Sequence, residues 1–236
     1  MRAVPDEDRY FMVAVDQYED RCIKGVLFHG NRKQGIPYDS LLELLSIVDS
    51  ILDSMNCPRQ TFQLRSFPGI KSPVFNIKEG EENRREGRLA TFCLYVKYRY
   101  HASWQGTLTS HGEKKAESFK SVLDLVCLFD RYLGAAPVEL RNTNSCSAAI
   151  DFYGGGSIVG KLWGQDSCQV WSFWTEEGKR VSFSIRILFH EHSTWQGVIY
   201  WHEAGVRQQF RSFKEMFYLM ASAVKAKEEK GVLYRA

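Results

Sequence analysis

The sequence predicts an α+β protein built from three β-β-β-α units, one degenerate and two close copies, with antiparallel sheets covered by helices. Three observations carry that reading. First, His101-Ala-Ser-Trp-Gln-Gly106 returns as His192-Ser-Thr-Trp-Gln-Gly197, offset by 91 residues, and the match runs without a gap from Thr91 to Leu128 against Ser182 to Leu219. Second, a weaker copy lies at the front, offset by 81: Phe11, Val13 and Val15 fall on Phe92, Leu94 and Val96, Gly25 on Gly106, and Tyr38-Asp-Ser40 on Phe119-Lys-Ser121. Third, each copy passes from two-residue alternation to a helical spacing of apolar residues, the signature of strands followed by a helix.

Each unit opens on an alternating strand. Phe92, Leu94, Val96 and Tyr98 share one face, as do Phe183, Ile185, Ile187 and Phe189. A polar turn leads to a second strand through the recurring glycine, and a brief third strand ends in Tyr38, Phe119 or Phe210. The helix then starts at Ser40-x-x-Glu43, Ser121-x-x-Asp124 or Ser212-x-x-Glu215. In each, a hydroxyl stands three residues before a carboxylate, so the Ser oxygen accepts from an orphan backbone N–H and the acid reaches back toward the cap. Leu41, Leu44, Leu45, Val48, Ile51, Leu52 and Met55 form the buried stripe of the first helix. Thr61 to Ser66 and Val138 to Arg141 read as fourth strands.

The predicted domains are 1–77, carrying the degenerate unit, and 89–236, carrying units at 89–141 and 180–230 with inserted strands at 146–175. Between them, 78–88 reads as a charged linker bounded by glycines. The inserted strands would turn at Gly154-Gly-Gly156 and Gly164-Gln-Asp166. Gly155 to Lys161 fits the phosphate-loop spacing, but Leu162 follows where a Ser or Thr would hold Mg²⁺, so the stretch reads as a glycine hairpin.

At 236 residues, 44% apolar and 25% charged, the chain is globular and long enough for a substantial core. Its formal net charge of +3 permits an anionic partner without demanding one. There is no apolar run long enough to cross a membrane, and the first residues carry no apolar signal segment, so a cytoplasmic protein is expected. The six cysteines are scattered without a Cys-x-x-Cys pair and read as free, buried thiols. No nucleophile elbow, H-E-x-x-H or telling carboxylate pair names an enzyme, so no catalytic residue, metal or cofactor is assigned.

The candidate site is the repeated turn. His101, Trp104 and Gln105 recur as His192, Trp195 and Gln196, whereas the degenerate unit has Asp20, Ile23 and Lys24 and keeps only the glycine. A Trp face beside an amide suits a planar ligand, a base or a peptide backbone. The same pair also suits a structural role, with Trp plugging the end of a strand–helix layer and Gln pinning a bulge. Arg99, with Lys97 on the same strand face, and Arg186 in the later copy would add a basic edge of the kind nucleic-acid-binding sheets use.

The motif of alternating strand, [ST]-Trp-Gln-Gly and Phe-[KR]-Ser before an acidic-capped helix resembles a group of small bacterial proteins that carry it singly. The resemblance covers each of the two close units, under half the chain. It implies a bacterial cytoplasmic origin and no mechanism. The β-β-β-α order is also similar, in topology alone, to the partial RNase H-like modules of HicB-type antitoxins. The expected function is a non-enzymatic binding or regulatory protein whose paired Trp-Gln turns hold a ligand or partner, with a nucleotide, a nucleic acid or a protein as candidates. The alternative is a structural protein-interaction module without a small-molecule ligand. A homo-oligomer is compatible with both.

Overall fold

Period-2 burial and three capped helical stretches produce an α+β fold, with two antiparallel sheets and three helices among the described residues. The computed structural model describes residues 6–70, 80, 82–134 and 181–230. The expected fourth strand at 138–141, the inserted strands at 146–175, Cys146, Cys168 and the glycine hairpin at 155–161 lie outside them.

A six-stranded sheet contains β1 (Tyr10–Glu19), β2 (Cys22–His29), β3 (Ile36–Tyr38), β4 (Ala90–Tyr98), β5 (Gln105–Ser110) and β6 (Glu117–Phe119), in the order β3-β2-β1-β4-β5-β6. One face is covered by α1 (Leu41–Met55) and α2 (Val122–Leu133). A three-stranded sheet follows, with β7 (Phe183–Glu191), β8 (Thr194–Trp201) and β9 (Val206–Phe210) in sequence order, and α3 (Phe213–Lys230) beside it.

The join between β1 and β4 has a local twofold character. Met12 pairs with Cys93, Phe11 with Leu94 and Val13 with Phe92. With the 81-residue offset, Met12 and Cys93 are equivalent positions, and the two neighbouring pairs exchange places across them. Phe11, Val13, Val15, Phe92, Leu94 and Val96 are all buried, in one core with the inward faces of both helices. The described strands on either side of 78–88, β1 to β3 and β4 to β6, belong to one sheet. The described part of that stretch is pinned down: the Arg85 guanidinium donates two 2.8 Å bonds to Asp16 on β1. That bond holds the Asp16 carboxyl below its ordinary value.

Backbone details recur at the same offsets. A bulge falls at Val15/Gln17, Val96/Tyr98 and Ile187/Phe189. The following tight turns hold Asp20-Arg21, His101-Ala102 and His192-Ser193 at positive φ. Two consecutive left-handed residues match the right-handed twist of the flanking strands, which is why such turns close hairpins. Glycine is required on the second strand. A Cβ at Gly25, Gly106 or Gly197 would overlap the carbonyl oxygen of Ala14, Tyr95 or Arg186 on the first strand.

All three helices begin at a Ser cap, whose Oγ accepts from the backbone N–H of Glu43 at 3.2 Å, Asp124 at 3.0 Å or Glu215 at 3.0 Å. Each carboxylate reaches back to the N–H of the residue preceding the cap, Asp39, Lys120 or Arg211. Thr61 to Ser66 do not form a strand. Gln60 makes one isolated bridge to Arg99, and the Arg65 N–H is taken up by the Glu215 side chain at 2.8 Å, so this run threads between the two sheets. Cys22 and Cys93 are exposed and Cys57 and Cys127 half-buried, against the expectation of buried thiols. Cys22 and Cys93 sit on strand positions that point away from the helices, which the local apolar composition does not reveal.

Candidate functional site

The two Trp-Gln turns come together. The His101 and His192 rings stack 3.8 Å apart at 10°. Burial, then the neighbouring His192, holds His101 below its ordinary pKa. Around this stack the contacts are reciprocal. The Ser121 hydroxyl donates to the Ser193 carbonyl at 2.6 Å, and the Ser212 hydroxyl donates to the Ala102 carbonyl at 2.7 Å. Ser121 and Ser212 are equivalent positions at the 91-residue offset, as are Ala102 and Ser193. The first helical N–H of each helix, on Val122 or Phe213, is taken by Ser103 or Thr194 in its own turn. The residues flanking Trp and Gln thus dock two helix N-termini against two turns.

Both glutamines are used up within their hairpins. Gln105 accepts from the Tyr100 N–H at 3.0 Å and donates to the Tyr100 carbonyl at 3.1 Å. Gln196 does the same with Glu191, at 2.9 Å in both directions. Each amide thus ties the end of the first strand to the start of the second, beyond the bulge and next to the turn.

The two tryptophans diverge. Trp104 is fully buried in the main core, and its Nε1 donates to Asp49 Oδ1 at 2.8 Å. Trp195 is half-buried, edge-on to Phe213 at 5.7 Å. The difference lies in what is available to receive the indole. Trp104 meets a carboxylate from α1, and nothing equivalent stands beside Trp195 among its described contacts.

Asp49 is the centre of a buried ionic cluster. It also accepts from Arg99 at 2.9 Å, from Lys214 at 2.6 and 2.8 Å and from the Tyr218 hydroxyl at 3.0 Å. Arg99 reaches Asp53 at 2.6 Å and Gln60 at 3.0 Å. Lys214 sits 5.0 Å from the centre of the Trp104 ring, a cation–π distance. Burial opposes ionisation of Asp49, but Lys214 and Arg99 outweigh it and hold the carboxyl below its ordinary value. We read Asp49 and Lys214 as an ion pair on their 2.6 Å contact, although burial pulls the ammonium toward neutrality. The members come from α1, the β4–β5 turn region and α3, so the cluster ties the two sheets together.

Arg99 therefore does not share an open face with Lys97. The bulge at Val96/Tyr98 breaks the alternation, so Tyr98 is 40% exposed while Arg99 is 2% exposed. Arg186 is exposed on β7. Among the described residues the eight expected site residues fall in separate places. His101 and His192 are brought together at the paired turns, Gln105 and Gln196 are each bound within their own hairpins, Arg99 and Trp104 enter the ionic cluster, Trp195 packs on Phe213, and Arg186 lies exposed on β7. Asp49 and Lys214 escaped sequence reading. A signal for Asp49 existed, because it interrupts the apolar run Ile47-Val48-Asp49-Ser50-Ile51-Leu52 on the buried side of α1.

Exposed apolar side chains cluster on β7. Ile185 is 41% exposed, Ile187 47% and Phe189 62%, whereas Leu94 and Val96, the counterparts of Ile185 and Ile187, are 1% and 0% exposed. Among the described residues β7 is an edge strand. On the open face of the larger sheet, a hollow of about 460 Å³ is lined by Met12, Cys93, Arg84 and His111. Cys93 is exposed at its surface, yet the atoms packed around its sulfur partly desolvate the thiol and push it up, which keeps it protonated. No group of three His, Cys, Asp or Glu among the described residues is placed to hold a metal, and no described helix is long and apolar enough to cross a membrane. No protein family, curated protein or solved structure matches this chain.

Proposed function

We propose that this chain is a non-enzymatic interaction scaffold, three copies of one β-β-β-α unit, that engages a protein partner through the β7 edge. The reading of three copies draws on the bulges, left-handed turns, glycine contacts and Ser caps that recur at offsets of 81 and 91. In it, units join in two ways: strand to strand, as β1 joins β4, and turn to turn, as the histidine stack joins the later pair. The turn-to-turn join occupies the Trp-Gln turns, so they serve assembly, and the protein falls in the second of the two expected classes.

The observation that carries the proposal is the exposure of Ile185, Ile187 and Phe189 on an edge strand. Contiguous exposed apolar side chains mark interaction surfaces, and an edge strand, which β7 is among the described residues, is where a further strand can add. The counterparts of Ile185 and Ile187 on β1 and β4, namely Val13, Val15, Leu94 and Val96, are buried in one core that both units share.

A pair of charge insertions tests this. Ile185→Asp combined with Ile187→Asp is expected to leave the full chain folded, with Tm within about 3 °C of the parent, since surface changes stay within ±0.5 kcal/mol. Leu94→Asp is expected to prevent folding, because it puts a lone charge in the core. Unfolding of the β7 double variant would mean that the β7 face is core, and would contradict the proposal.

A further inference from the structure

We infer that the partner of β7 is β7 of a second copy of this chain, paired antiparallel about Ser184 in the register that joins β1 to β4. This rests on the proposed docking role of β7 and names its occupant.

The argument begins with the internal precedent. In the larger sheet the pairing is centred on Met12 and Cys93, which occupy one position of the repeat. A junction between equivalent positions is what a twofold axis produces, so this surface is self-complementary in form. In the third unit the same position is Ser184. Two β7 strands joined this way place Ser184 opposite Ser184 of the second copy, and Phe183 opposite Ile185 of the second copy.

The side-chain chemistry supports that register. Strand side chains alternate between faces, so a one-residue slip would send the two apolar stripes to opposite sides. Centring on Ser184 instead keeps Phe183, Ile185 and Ile187 of both strands on one face, as Phe11, Val13, Phe92 and Leu94 are in the larger sheet. Ser184 is small, and its hydroxyl is already engaged by His202 Nε2 at 2.6 Å on the opposite face, so the dyad position brings neither bulk nor an unmet polar group. The strands carry no large charge at the centre, and Arg186 lies two residues from the axis, away from its counterpart.

The precedent also says what the second copy covers. Leu94 and Val96 are buried in a core to which the neighbouring unit adds its strand and helix beside their own α2. The exposed counterparts Ile185 and Ile187 lack such a cover among the described residues. A second copy supplies an identical strand and an identical α3. The result is a closed pair with one continuous six-stranded sheet at its centre, and no further edge of the same kind remains for growth.

The test is sedimentation equilibrium of the full chain from about 0.1 to 100 µM, with cross-linking of a Ser184→Cys variant. A dimer is expected. Ile185→Asp should raise its dissociation constant by about a hundredfold, the loss expected of an interface anchor, without changing the fold. Under mild oxidation Ser184→Cys should give a covalent dimer that the parent, with its native cysteines, does not give, and Phe183→Cys should give none, because Phe183 faces Ile185. A monomer throughout that range overturns the inference. So does a dimer that is indifferent to Ile185→Asp, or one in which Phe183→Cys cross-links as well as Ser184→Cys. A monomer whose β7 still tolerates charge leaves the docking proposal standing with a foreign strand as partner. A monomer that unfolds on charge insertion removes both.

Discussion

At the scale of single residues the molecule turns on Asp49. Four side chains converge on one carboxylate: Arg99, Trp104, Lys214 and Tyr218. Such a cluster gives limited net stability, because desolvating the charges offsets their attraction. Its value lies in specificity, since only one docking of the two sheets brings these groups together. Removing one partner is a different matter. Asp49→Asn leaves Arg99 and Lys214 buried without their shared anion and should destabilise the chain by about 3–5 kcal/mol. The pH dependence follows with its sign. The folded-state pKa of Asp49 is depressed below the ordinary 3.8. Its contribution is therefore fully present above 3.8 and is lost as pH falls through the folded value. Urea denaturation followed from pH 6 down to about pH 2 should show stability lost below pH 3.8 in the parent, and a shallower acid limb in Asp49→Asn.

The elements were legible in the sequence where local pattern decided them. Alternation marked the long strands, and Ser-x-x-acid marked every helix start, because a cap is a local bargain between one hydroxyl and one backbone N–H. The Thr61 to Ser66 run was misread for the complementary reason. Its polar groups are satisfied at long range, by Arg99 and Glu215, and propensity carries no trace of that. The bulges were equally hidden, and with them the inward turn of Arg99: one extra residue reverses the face of all that follows. The caps also carry a prediction. Ser40 caps α1 alone, whereas Ser121 and Ser212 each add a hydrogen bond to the opposite turn. Ser40→Ala should cost about 1 kcal/mol, the ordinary value of a cap. Ser121→Ala and Ser212→Ala should each cost about 2 kcal/mol, the cap plus one buried bond. Equilibrium denaturation of the three variants in urea distinguishes these values. Equal losses in all three would mean that the turn-to-turn contact contributes nothing.

At the scale of the whole molecule, the sequence announced three related stretches but not how they meet. Repetition is visible along the chain; the choice of which surfaces join is not, because both joins depend on residues that look alike in every copy. Met12, Cys93 and Ser184 share a position and differ in surroundings: the first two face each other, and Ser184 begins an edge. The candidate site was half legible for the same reason. The Trp-Gln turns stand out in the sequence as the feature that differs between the related stretches, yet their partners lie in other elements. Trp104 turns inward to Asp49, and each Gln returns to its own hairpin.

The central claim is that β7 is a docking edge filled by a second copy. Amide hydrogen exchange of the full chain, followed by peptide mass spectrometry across a range of concentrations, tests it most directly. The account predicts that β1 and β4 are protected at every concentration, and that peptides spanning Phe183 to Glu191 gain protection as concentration rises. Protection of β7 that is already complete in the most dilute sample would contradict it, since the strand would then be covered within one chain.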